Sequence, residues 1–118
     1  MDTNTALTQK HCQPCEGIGQ ALDKKTATQL LKNVPGWQMD EEGKVIRREY
    51  PMKDFKTAIN FMSKVAVIAE SENHHPDLHL TGYRKLKIEL STHALGGLSQ
   101  NDFIIAAKIN ALPVELKP

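Results

Sequence analysis

Residues 77–93 read DLHLTGYRKLKIELSTH, and the fold turns on how they are read. From Lys85 to Ser91 apolar and polar residues alternate. Leu86, Ile88 and Leu90 fall on one face, Lys85, Lys87, Glu89 and Ser91 on the other. A period of two marks a strand buried on one side only. Thr81-Gly82 supplies a turn, so DLHLT before it becomes the partner strand of a hairpin. A turn near residues 82–83 makes opposed residue numbers sum to about 165–168. His93 would then return beside residues at about 72–75, where ENHHPDLH (72–79) holds three of the chain's five histidines.

Upstream, Phe55, Ala58, Ile59, Met62, Val65, Ala66 and Ala69 recur at steps of three and four. This predicts a helix from Met52 to about Ser71 with one apolar stripe, able to lie across a sheet. Phe61 and Met62 are expected in the core, and Pro76 ends the helix at or before His75. Further upstream, Asp23 can cap a short helix through TATQLLKNV, stopped by Pro35-Gly36. Trp37–Met39, a four-residue loop DEEG (40–43) and KVIRREY (44–50) predict a first hairpin. Downstream, ALGGL (94–98) is a loop and Ser99 starts a last helix, SQNDFIIAAKINAL, with Phe103, Ala106, Ala107 and Asn110 on one stripe. The expectation is a single α+β domain over 21–118, a four-stranded antiparallel sheet with three helices packed on one face. Residues 1–20 lack hydrophobic period and are expected to be a flexible tail.

Composition narrows the function. The chain has 118 residues, 40% hydrophobic and 25% charged, with a net charge of +1. That balance does not suit direct nucleic-acid binding. No apolar run approaches a membrane span and no signal peptide is visible, so a cytoplasmic protein is expected. Cys12 and Cys15 form HCQPC. No strand precedes them as in thioredoxin-type sites, and His11 brings the donors only to three where structural zinc takes four. The pair reads as two free thiols.

The histidines admit two chemistries. His75 and His79 are four apart, the spacing of helical zinc ligands. Pro76 lies between them, however, and in a strand their Cα atoms would be roughly 13 Å apart. No metal and no cofactor are therefore expected, and His79 is assigned to a strand face towards solvent or a neighbouring subunit. General acid–base chemistry fits better, since an imidazole gives or takes a proton near neutral pH. Glu70, His74, His75 and His93 are the expected constellation. Asp102 has two readings, because Ser99-x-x-Asp102 is also a capping-box pattern.

Taken together, these residues resemble the signature of the pterin-4a-carbinolamine dehydratases. Glu70 is followed after three residues by His74-His75-Pro76, then by the aromatic Tyr83. His93 follows after nine residues and Asp102 after eight more. The resemblance extends to Gly36-Trp37 with its strand and to DFKTAINFMSKVAVIAE, covering about residues 23–111. It implies dehydration of 4a-hydroxytetrahydropterin to quinonoid dihydropterin, recycling the pterin of aromatic amino acid hydroxylases without metal or cofactor. It implies a pterin site lined by His74, His75 and His93, with Glu70, Pro76 and Asp102 contributing to substrate binding. His74 and His93 would be acid and base in an order left open, and His75 would position substrate. A homodimer or homotetramer is implied. A second reading, a module that binds a phenylalanine hydroxylase or a transcription factor, stays beside the first.

Overall fold

The computed structural model describes residues 7–14 and 18–118. Helix α1 (Lys24–Leu31) is followed by strands β1 (Gln38–Met39) and β2 (Ile46–Pro51). Helix α2 (Phe55–Glu72), strands β3 (Asp77–Thr81) and β4 (Lys85–Leu90), a 3-10 turn (His93–Leu95) and helix α3 (Gln100–Asn110) complete the order. The sheet is antiparallel throughout, in the order β1-β2-β4-β3. Its inner face carries Ile46, Tyr50, Leu86, Ile88 and Leu90, which share one core with Phe61, Val65, Phe103 and Ile105 of the helices. The α+β expectation holds, with these three helices and four strands among the described residues.

The deciding hairpin has the expected register. Asp77 pairs with Glu89 and Thr81 with Lys85, each pair summing to 166. Gly82 and Tyr83 form its turn with φ of 52° and 54°. The β3–β4 ladder stops at Asp77 and Glu89, β4 stays paired with β2 through Leu90, and the chain then leaves the sheet, so His93 sits in the 3-10 turn rather than on a strand. The first hairpin is wider than expected. Met39 pairs with Ile46, and the loop between them is closed by the Asp40 carboxylate, which accepts from the N–H groups of Lys44 and Val45 at 2.7 and 3.0 Å.

Helix α2 begins when Asp54 accepts from the Thr57 N–H at 2.8 Å, a side-chain cap on an otherwise unpaired donor. It ends at Asn73, whose left-handed backbone (φ 52°) turns the chain out before His74. Its buried stripe is Ala58, Phe61, Val65 and Ala69. This corrects the expected stripe: Phe55 and Ile59 are 54% and 40% exposed. Helix α3 departs further from an amphipathic pattern. Residues 101–107 and Ile109 are buried, so no side faces water along most of its length. Four polar residues on it reach different neighbours. Asn110 accepts from Trp37 Nε1 at 2.9 Å and from Arg48 at 2.6 Å; Asn101, Asp102 and Lys108 are described below.

Residues 7–14, expected to belong to a free tail, are packed against the domain. Leu7 is 4% exposed within the core. Cys12 and Gln13 hydrogen-bond to Glu72 and Asn101. A tail without hydrophobic period can still be held by one apolar anchor and by its backbone groups, neither of which leaves a periodic signal. Cys15 lies outside the described residues.

Candidate functional site

The site forms where α2 ends, β3 begins and β4 gives way to the 3-10 turn. Asn73 and Pro76 bracket His74-His75 in a non-helical segment, so the two imidazoles do not follow a common helix face. His74 turns inward. Its Nε2 lies 2.7 Å from Oδ1 of Asp102, with the imidazole 11% exposed and the carboxylate fully buried. His75 turns outward to Glu70, Nε2 to Oε2 2.8 Å, with both side chains more than half exposed. An exposed pair of this kind is screened by water and contributes little to stability.

Asp102 has a divided role. Its Oδ2 accepts from the backbone N–H of Ser99 at 3.0 Å and from the Thr92 hydroxyl at 2.9 Å, while Oδ1 faces His74. Thr92 has a single hydroxyl proton and gives it to Asp102. The Ser99 hydroxyl, 2.7 Å from Thr92 Oγ1, must therefore donate to Thr92. All donors converge on a group that, ionised, only accepts. This fixes the proton of a neutral His74 on Nε2 and leaves Nδ1 as the free, basic nitrogen. Asp102 thus caps α3 through Oδ2 and meets His74 through Oδ1.

His93 opens the 3-10 turn immediately after Thr92, so it is connected to Asp102 through its chain neighbour. Its side chain is exposed and forms no hydrogen bond among the described residues. It lines a groove of about 310 Å³ with Lys44, Asp77, Glu89 and Ser91. Neither His74 nor His75 lines that groove. Pro76 is half-buried at the start of β3. His79 faces away from the helices and pairs with Glu89 across the hairpin at 2.8 Å. Among the described residues no group of three or more His, Cys, Asp and Glu side chains is placed to hold a metal ion.

Sequence reasoning missed two supports. Thr92 carries no pattern of its own, following the strand as one more small polar residue. Glu72, the last residue of α2, is buried beneath Lys108 Nζ at 2.8 Å. Burial opposes ionisation of Glu72, but Lys108, the Cys12 N–H and His11 outweigh it and hold its carboxyl down at about 2.

A profile of the family described as Pterin 4 alpha carbinolamine dehydratase matches residues 20–112. The chain is 47% identical over 112 residues to a protein of Arabidopsis thaliana named pterin-4-alpha-carbinolamine dehydratase 2, mitochondrial, covering 92% of this chain and 60% of that one. The chain thus spans less than two thirds of that relative's length. It is 45% identical to a protein of Nitrosospira multiformis named as a putative pterin-4-alpha-carbinolamine dehydratase, covering 95% of this chain and 97% of that one. The crystal structure of a transcriptional coactivator/pterin dehydratase from Brucella melitensis superposes with a TM-score of 0.72 at 33% identity, over 78% of this chain and 97% of that one.

Proposed function

Because the chain belongs to the pterin 4 alpha carbinolamine dehydratase family, a family of hydro-lyases, we propose that it converts 4a-hydroxytetrahydropterin to quinonoid dihydropterin and water by histidine acid–base catalysis. The C4a–O bond breaks as the hydroxyl takes a proton and leaves as water. The proton on N5 departs, and the electron pair of that N–H bond closes the C4a=N5 double bond. One proton enters and one leaves, so no oxidant, reductant or metal is required by the balance.

The observation that carries this reading is the 2.7 Å contact between His74 and the buried Asp102. With Nε2–H held by the carboxylate, Nδ1 is the atom left to take the N5 proton. The Asp102 charge offsets the positive charge that then develops on the ring. His93 is the group we assign to protonating the hydroxyl, since its imidazole is exposed and uncommitted. His75, held by Glu70 and followed by Pro76, is assigned to positioning substrate. Asp102 works through His74, because none of its surface reaches solvent. The groove beside His93, about 310 Å³, lies at the small end of the range for small-molecule sites.

The reading includes pterin recycling for an aromatic amino acid hydroxylase and a cytoplasmic setting. It is tested by following decay of the 4a-carbinolamine with His74→Ala and His93→Ala. Each is expected to slow the reaction by about 10²-fold or more, the usual size of a general acid or base contribution. The parental rate in both variants would sink it.

One observation favours an interaction role as well. On α2, Phe55, Ile59 and Val67 are 54%, 40% and 70% exposed. Such an apolar surface suits a second copy of the chain or a hydroxylase. If Phe55→Asp leaves both the oligomeric state and hydroxylase binding as in the parent, this role is excluded.

A further inference from the structure

The buried Glu72 and the reciprocal contact between Gln13 and Asn101 have no part in the chemistry above. The geometry points to a positioning role for them: residues 11–13 form a strap that holds the end of α2 and the start of α3 in the spacing at which His74 meets Asp102. The inference rests on the dehydratase reading of that pair.

Each anchor of the strap is next to a member of the pair. Glu72 stands two residues before His74, and its Oε1 accepts from the Cys12 backbone N–H at 2.7 Å. Its Oε2 takes His11 Nδ1 at 2.9 Å and Lys108 Nζ at 2.8 Å. Asn101 immediately precedes Asp102 and is 3% exposed. Its Oδ1 accepts from the Gln13 N–H at 2.9 Å, and its Nδ2 donates to the Gln13 carbonyl at 2.7 Å. This closes both backbone groups of Gln13 on one buried amide. The Cys12 thiol is also turned towards the Asn101 carbonyl, Sγ to O 3.6 Å. Consecutive residues of the strap thus grip the two segments whose separation sets the His74–Asp102 distance.

A strap that only added stability would leave turnover of the folded protein unchanged. A strap that positions the pair affects the reaction itself, since catalysis is steep in the placement of reacting groups. Two variants of the full chain separate these roles. Asn101→Ala removes the amide, and Gln13→Pro removes one donor at an exposed residue and keeps the core intact. Both are measured well below their melting temperatures, with folding checked by far-UV circular dichroism. We expect kcat to fall about ten-fold in each with KM within about two-fold of the parent. The imidazole ¹H–¹⁵N resonance of His74, assigned by its loss in His74→Ala, should shift or broaden as the bond to Asp102 loosens. Parental kcat together with an unchanged His74 resonance in the folded variants overturns the proposal, whatever their melting temperatures. If the parent itself shows no dehydration, the functional reading fails. The His74 resonance then decides the strap alone: a shift sustains it and an unchanged signal removes it.

Discussion

His74 and Asp102 are joined at 2.7 Å by a carboxylate whose other oxygen holds the N-terminus of helix α3. On the proposed reading, the proton-transfer pair and the helix start therefore share one side chain. Asp102→Asn tests the division. Its amide oxygen can still serve Ser99 and Thr92, which turns the NH2 towards His74 and forces the ring proton onto Nδ1. The base is then masked in a protein that still folds. We expect kcat to fall by about 10²–10⁴-fold, with far-UV circular dichroism close to that of the parent. Retention of kcat within a few-fold would show that the pair does not set the proton's place.

Acid stability should depend on Glu72. Its carboxyl is held at about 2 in the folded protein, against an ordinary value of 4.5. A depressed folded value favours folding above the unfolded pKa, and that contribution is lost as pH falls through the folded one. The window is thus from about 4.5 down to about 2. Asp23 and Asp54, both lowered by the helix N–H groups they cap, add to the same limb. Glu72→Gln should start less stable at pH 7 and lose less on acidification, so that the two melting curves converge towards pH 2. Parallel melting temperatures across the window would contradict this.

Cys12 should be inert while the protein is folded. Burial, reinforced by the nearby Glu72 carboxylate, pushes its thiol up to about 12. The thiolate is the reactive form. In a Cys15→Ser background, iodoacetamide at pH 8 should leave Cys12 unmodified for hours and label it within minutes in denaturant. Mass spectrometry reads the difference, and rapid native labelling would refute it.

Tyr83 occupies a backbone conformation that its side chain disfavours, with φ at 54° beside Gly82 at 52°. Its ring is 60% exposed. Among the described residues its ring is met by the Arg84 guanidinium, 5.5 Å from the ring centroid. The left-handed conformation costs about 1–2 kcal/mol and an exposed cation–π contact returns about 0.5–1 kcal/mol. Tyr83→Asn should accordingly stabilise the protein by about 0.5–1 kcal/mol in urea denaturation. A destabilised variant would show that Tyr83 has a contact that this balance omits.

The hairpin, the helix ends and the meeting of Glu70 with the His74-His75 segment were legible because each leaves a local mark. Period two in KLKIEL, proline after His75 and Ser99-x-x-Asp102 all act within a few residues. The direction of each imidazole was not legible. His74 and His75 are neighbours, yet one faces a buried carboxylate and the other faces water. That difference is set by the left-handed turn at Asn73 and by the depth of α3, both settled only by packing. The exposure of Phe55 and Ile59 was hidden for a related reason. Apolar spacing finds a stripe but does not say how much of it the rest of the chain covers. The strap was the least visible of all, since it is held mainly through backbone groups that every residue has.

Helix α3 raises a last point, about rotation. It is buried on nearly every side. A cylinder with apolar side chains all round gains almost as much from burial at one angle about its axis as at another. Four of its polar residues break that degeneracy: Asn101 meets Gln13, Asp102 meets His74, Lys108 meets Glu72, and Asn110 meets Trp37 and Arg48. A turn by one residue would strand all four away from their partners. These contacts work as keys in a lock cylinder, selecting one angular setting that the hydrophobic effect alone would leave open.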